Sequence, residues 1–137
     1  MTVYTIDSSS IVAVLKDEPE AAMFERILAS GPRLIGAPTI LEVRLWVLRH
    51  MASGRSETFE ALLTDPDTSI IPFDAALERI AHDAAMRYGV GRHPASLNFG
   101  DCMAYAVARA HGAPLLFKGA DFGKTDAPCH PASVQLA

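Results

Sequence analysis

A three-layer α/β/α domain built on a central parallel sheet is the architecture this chain predicts, on two observations. Short runs of β-branched and large apolar residues alternate with longer stretches whose apolar side chains keep the helical period. Strands that alternate with helices in this way lie parallel, with helices on both faces. In addition, half of the 137 residues are hydrophobic, enough to bury a core without disulfides or a structural metal. No internal repeat, low-complexity tract or linker divides the chain, so residues 1–137 are expected to form a single domain.

Residues 3–6 (Val-Tyr-Thr-Ile) form a β-rich run that ends in Asp7-Ser8-Ser9-Ser10, a cluster of helix N-cap residues. Ile11, Val12, Val14 and Leu15 give the next helix its apolar face. Pro19 suits the first turn of a second helix over 20–30, whose Ala22, Met23, Phe24, Ile27 and Leu28 hold the helical period until Gly31-Pro32 stops it. Residues 33–37 are a second strand. Pro38-Thr39 opens a long helix to about residue 52, apolar around most of its circumference, which predicts burial against both the sheet and a partner. Ser56, Glu57, Glu60, Leu62 and Leu63 predict another helix, stopped at Asp65-Pro66. A third strand spans 69–73, and Asp74 caps a helix over 75–88 that Gly89 closes. After the irregular loop 90–98, a last helix runs from about 100 to 111 with Gly112 as its C-cap. A strand at 115–117, a glycine-containing turn and a short strand around Cys129 or Val134 complete the order. Met51, Met86, Met103 and Trp46 read as core.

Composition excludes several classes of function. The net charge of −4 marks no general nucleic-acid binder, although setting four acids aside leaves a formally neutral remainder. Cys102 and Cys129 show no Cys-x-x-Cys spacing, which argues against a zinc site or disulfide framework and for a reducing cytoplasm. No apolar run approaches the roughly 18 residues of a membrane span. Residues 119–125 resemble a phosphate-binding loop, but the glycine spacing is one residue short and no helix pattern follows. Gly-x-Ser-x-Gly, His-Glu-x-x-His and dinucleotide fingerprints are absent from the sequence.

What remains is four carboxylates. Asp7 closes the first strand, Glu42 interrupts an apolar helix, Asp101 opens an Ala-rich helix, and Asp121 follows the strand at 115–117. Ligands of parallel sheets bind beyond the carboxyl ends of the strands, the edge on which these four segments converge. Each acid has a plainer role beside it. Asp7 is a helix cap, Glu42 and Asp101 complement a helix dipole, and Asp121 is a turn residue with Asp126 as its rival. Arg44 or Arg49 is a candidate partner for Glu42 in a structural ion pair. As a set, buried like charges need a cation, and an all-oxygen cluster suits magnesium, with manganese as a substitute.

With their neighbours these acids resemble the PIN-domain ribonucleases, specifically the VapC-type toxins of toxin–antitoxin pairs. The matching pieces are Ile6-Asp7-Ser8-Ser9, Thr39-x-x-Glu42-Val43, Leu97-Asn98-Phe99-Gly100-Asp101-Cys102 and Leu115-Leu116-Phe117-Lys118-Gly119-Ala120-Asp121-Phe122. Gly91-Arg92-His93-Pro94-Ala95, leading into Asp101, is typical of one VapC subgroup. The resemblance implies that Asp7, Glu42 and Asp101 hold magnesium and that Asp121 or Asp126 completes the catalytic set. Many relatives carry the fourth acid one or two residues earlier, where Gly119 and Ala120 stand here, which leaves one or two metal ions open. Ser9 matches a hydroxyl that supports the first acid. Arg92, His93, Lys118 and Lys124 are candidate holders of substrate phosphates, with solvated loop charges as the alternative for each.

The implied reaction is hydrolysis of RNA phosphodiester bonds, with a homodimer and a small VapB-type antitoxin that covers the site. Two rivals remain. A magnesium phosphatase of the haloacid-dehalogenase type wants a second Asp two residues after the first, where Ser9 stands. A non-catalytic binding module would keep the fold with a network of ion pairs.

Overall fold

The computed structural model describes residues 2–50 and 53–137. In chain order the elements are β1 (Tyr4–Ile6), α1 (Ser8–Leu15), α2 (Ala21–Leu28), β2 (Arg33–Gly36), α3 (Ala37–His50), α4 (Ser53–Thr64) and β3 (Thr68–Ile71). There follow α5 (Ala75–Tyr88), α6 (Phe99–His111), β4 (Leu115–Leu116), β5 (Lys118–Gly119), a 3-10 turn at Phe122–Lys124 and β6 (Val134–Gln135). The main sheet runs β3-β2-β1-β4 with every pairing parallel, so the first strand of the chain is central and the connections diverge on its two sides. The topological switch point, where parallel sheets open a crevice, therefore lies at the carboxyl end of β1. Asp7 is the next residue.

Alternation along the strands sorts two apolar layers, as the two-residue period of extended chain requires. Tyr4, Ile6, Ile35 and Leu116 pack with Ile11, Val14, Phe24 and Phe59 on one face of the sheet. Leu34 and Leu115 pack on the other face with Tyr105, Val107, Phe117 and Phe122. Burying each such side chain contributes roughly 1.5–3 kcal/mol. Helix α6 comes close to the sheet because Ala104, Ala106 and Ala108 are almost fully buried and leave little bulk between the backbones. A Cβ added at Gly36 would already lie 3.2 Å from Val107 Cγ2.

Several boundaries depart from expectation for identifiable reasons. β2 ends at Gly36 and α3 begins at Ala37 with no loop between them, so Glu42 sits in the second helical turn rather than the first. α2 begins at Ala21, leaving Pro19 in the preceding turn, and β3 covers 68–71 rather than 69–73. The C-terminal strand is β6 at Val134, while Cys129 makes a single bridge to Leu115. β5, which pairs with β6 through Lys118↔Val134, escaped the sequence reading because two residues carry no detectable period.

The expected full burial of α3 is corrected. Only Thr39 and Val43 are buried on it, and Leu41, Leu45 and Leu48 stand 57, 51 and 72 % exposed along one side. Met86 is likewise exposed rather than core. Trp46 is partly buried and stacks on His50, and Met103 lines a surface groove. Met51 and the expected helix end near Ala52 lie outside the described residues.

Candidate active site

Asp7 caps α1 and also lies beside other acids, so capping does not exclude the second role. It is the N-cap of α1, only 4 % exposed, and its Oδ2 accepts from the Ser9 backbone N–H at 3.1 Å and from the Ser9 hydroxyl. Ser9 Oγ in turn accepts from the Lys118 backbone N–H at 3.0 Å. The Ser9 hydroxyl therefore joins β5 to the carboxylate that closes β1, and an acceptor on one side obliges it to donate on the other. Burial pushes the Asp7 carboxyl up against the pull of these Ser9 donors, and the neighbouring Asp121 raises it further.

Glu42 reaches the same place from α3. A Cβ at Gly100 would collide with its carboxylate, so Glu42 lies against the first turn of α6, one residue before Asp101. Its Oε1 is buried and has no hydrogen-bond partner among the described residues. Burial first, and then the charge of Asp7, push its carboxyl up to about 7. Arg44, a candidate partner in sequence, instead binds Glu60 at 3.0 Å.

Asp101 belongs to a reciprocal cap at the start of α6. Its N–H donates to Asn98 Oδ1 at 2.9 Å, and its Oδ2 accepts from the Asn98 N–H at 3.0 Å. Burial nevertheless raises this carboxyl to about 7 against the Asn98 donor, with the charges of Asp7 and Asp121 adding to the rise. Asp121 precedes the 3-10 turn but spends no side-chain hydrogen bond on capping it, and its carboxylate faces Asp7 and Asp101.

Asp126 is elsewhere. Its Oδ1 accepts from Tyr105 Oη at 2.7 Å, and its Oδ2 accepts from Arg87 at 3.1 Å and from Arg109. Between the two candidates for the fourth acid, the geometry brings Asp121 to the cluster and holds Asp126 away from it.

The candidate phosphate holders divide. Lys118 Nζ binds Glu18 Oε2 at 2.7 Å and Glu20 Oε2 at 2.9 Å with its side chain only 15 % exposed, so its ammonium is already engaged inside the protein. His93 Nδ1 accepts from the Ala95 N–H at 3.0 Å and its ring meets Tyr88 edge-on, which organises the 89–97 loop. Arg92 is exposed and lines the groove beside Asn98 and Phe99, and no ion pair involves it among the described residues. Phe99 is 77 % exposed two residues before Asp101.

The acid set suits a hard divalent cation by its chemistry. Its donors are all oxygen, none of the three raised carboxyls is held down by a basic side chain, and Glu42 Oε1 is an orphaned buried acceptor. A ready-made cage is absent. No group of three or more His, Cys, Asp or Glu side chains among the described residues is arranged to hold a metal ion as it stands. Asp7 Oδ2 and Asp101 Oδ2 are turned toward Ser9 and Asn98.

Sheet order, switch point and acid cluster together define an α/β domain with an acidic site at the carboxyl edge of its sheet, and comparison with known proteins identifies its family. The family model described as the PIN domain matches residues 4–128. Ribonuclease VapC of Mycolicibacterium smegmatis is 38 % identical over 122 residues, covering 88 % of this chain and 95 % of that protein. Ribonuclease VapC30 of Mycobacterium tuberculosis is also 38 % identical, over 88 % of this chain and 93 % of its own length. Among solved structures, Mycobacterium tuberculosis VapC20, described as a sarcin-ricin loop cleaving toxin, superposes with a TM-score of 0.65 at 18 % identity, covering 88 % of this chain and 89 % of that one. A toxin–antitoxin complex from Klebsiella pneumoniae gives 0.63 at 17 % identity, over 96 % and 95 % of the two chains. The chain belongs to the PIN-domain family, in its VapC branch, as the motif resemblance implied.

Proposed function

We propose that this protein is the ribonuclease toxin of a toxin–antitoxin pair and that it hydrolyses RNA phosphodiester bonds with magnesium at Asp7, Glu42, Asp101 and Asp121. The observation that carries the reading is a buried group of acids, uncompensated by any base among the described residues, at the carboxyl edge of β1 in a chain of the VapC branch. Asp7, Asp101 and Glu42 would hold the cation, and manganese would replace it. When bound, the cation supplies Lewis acidity toward phosphate oxygen and water.

The chain's own residues supply the rest. Ser9 fixes the orientation of Asp7, and Asn98 fixes that of Asp101. Glu42, whose Oε1 is free of protein donors among the described residues, would take the proton that water releases as it attacks phosphorus, while the bond from phosphorus to the leaving ribose oxygen breaks and that oxygen takes a proton from solvent. Arg92, exposed on the groove that Asn98 and Phe99 also line, would hold a substrate phosphate.

Two partners belong to the same reading. The stripe of Leu41, Leu45 and Leu48 on α3 fits a second copy of the chain, because a row of exposed leucines at helical spacing marks a contact surface. A groove of ≈ 590 Å³ between α1, α2 and α4, lined by Ile11, Val14, Leu28, Phe59 and Leu62, fits the apolar face of an antitoxin helix. No helix among the described residues is long and apolar enough to cross a membrane.

The test is cleavage of RNA with magnesium, with chelator and by Asp7→Asn. Cleavage that requires magnesium and falls with the substitution supports the proposal, and undiminished cleavage in chelator overturns its mechanism. Metal binding without any cleavage would favour the binding-module reading instead.

A further inference from the structure

Three acids of the site stand on or directly beside long-range-anchored elements, and the fourth does not. Asp7 follows β1, Glu42 is on α3 and Asp101 is on α6, whereas Asp121 rides a loop whose regular structure is one 3-10 turn. That turn has two backbone bonds, Lys124 N–H to Asp121 O at 3.1 Å and Thr125 N–H to Phe122 O at 3.0 Å. A carboxylate on so short a turn has a defined position only if the loop is tied down on both sides. Phe122 is one tie, buried and edge-on to Phe117 at 5.3 Å.

Asp126 is the other. It accepts from Tyr105 and Arg109 on α6 and from Arg87 on α5, so one carboxylate joins the loop to two helices. The guanidinium of Arg87 lies 4.8 Å from the centre of the Tyr88 ring, and that of Arg109 lies 5.6 Å from the Tyr105 ring, so both donors are braced by the helices that carry them. Thr125 transmits the tie. Its Oγ1 donates to Phe122 O at 2.7 Å and accepts from the Ala127 N–H at 3.0 Å, two bonds that straddle Asp126 and lead back to the residue after Asp121. The pairs are partly exposed, and such pairs contribute little to global stability. Their effect is geometric, because α6 carries Asp101 as well and the clamp references both acids to one helix.

We propose that Asp126, gripped by Arg87, Arg109 and Tyr105, is a positioning residue that sets where Asp121 stands relative to Asp101. The consequence for catalysis rests on the nuclease reading. The position itself does not.

The experiment is a double-mutant cycle of Asp126→Asn and Asp121→Asn, with Arg109→Gln as a second way to open the clamp. Amide exchange at residues 122–125 is followed on metal-free protein, manganese affinity is followed by calorimetry, and kcat and KM are measured for RNA cleavage. Opening the clamp should speed exchange at 122–125 by about tenfold without changing exchange in β1 and β2. It should weaken manganese binding and lower kcat by about tenfold while KM for RNA stays within about twofold. Asp126→Glu should restore part of the loss. In the Asp121→Asn background, Asp126→Asn should add almost nothing to the loss of manganese affinity or of kcat. Unchanged exchange in the loop, or losses that simply add, would overturn the proposal. If the wild-type protein cleaves no RNA, the nuclease reading falls, and exchange with calorimetry still decides the clamp.

Discussion

Asp101 and Asp126 both lie near the α6 side of the molecule, and their surroundings are opposite. Asp126 is partly buried, which by itself raises a carboxyl, yet Tyr105, Arg87 and Arg109 bring it below the ordinary carboxylate range. Asp101 is raised to about 7, because burial outweighs the donor from Asn98 and its charged neighbours are Asp7 and Asp121. The pattern repeats on the other side of the site, where Glu18 and Glu20 share Lys118 while Asp7 and Glu42 have no basic partner among the described residues. Among the described residues, bases stand beside Asp126, Glu18 and Glu20 and none beside Asp7, Glu42 or Asp101. A buried carboxylate left uncompensated by the chain is neutralised by a proton or by a cation, and this contrast singles out the inner acids more sharply than any one distance does.

The largest effect that tests the contrast is on the inner group. Asp101→Asn should lower magnesium-dependent RNA cleavage by about 10²-fold or more in a gel assay, while raising the stability of the metal-free protein by on the order of 1 kcal/mol through relief of like-charge repulsion. A variant that loses activity and stability together would mean that Asp101 is structural.

Next comes pH. Glu42 and Asp101 have folded carboxyls near 7, above the 4.5 and 3.8 of the unfolded chain, so the folded state holds their protons longer. Stability from this source is full below the unfolded values and is lost as pH rises toward 7. Asp126 runs the other way, because its lowered folded value gives stability that is present above 3.8 and lost as pH falls through that folded value. Melting in chelator should therefore fall by several degrees between about pH 5 and pH 8, and magnesium at pH 8 should restore it. A melting temperature that is flat over this range would break the comparison.

Ser9→Ala removes the hydroxyl donor to Asp7 and strands the Lys118 N–H, which should destabilise the protein by about 1 kcal/mol in urea unfolding and lower cleavage with little change in RNA affinity. The smallest effect belongs to a pair outside both groups. Arg44 and Glu60 are each about half exposed, so Arg44→Ala should shift stability by no more than about 0.5 kcal/mol by the same measurement.

Most of the arrangement was legible in the residues themselves, because it is written in local chemistry. Strand and helix alternate with recognisable periods. Asp74 caps the helix it precedes, and Gly112 closes α6 at φ +59, where a residue without a side chain is favoured. Asp7, Glu42 and Asp101 were identifiable because an acid at the end of an apolar strand, or within an apolar helix, contradicts its own neighbourhood. Asp121 and Asp126 were not separable, since both occupy the same polar loop where Asp is ordinary.

Only the tertiary structure decided between them. Asp126 is drawn off by Arg87 and Arg109, which lie 39 and 17 residues away in the chain, and Asp121 is left facing the cluster. Packing likewise engaged Lys118 with Glu18 and Glu20, about 100 residues distant, and left one side of an apolar α3 uncovered. Local order follows from each residue and its near neighbours. Which charge meets which is settled by contacts between remote segments, and no local period encodes those.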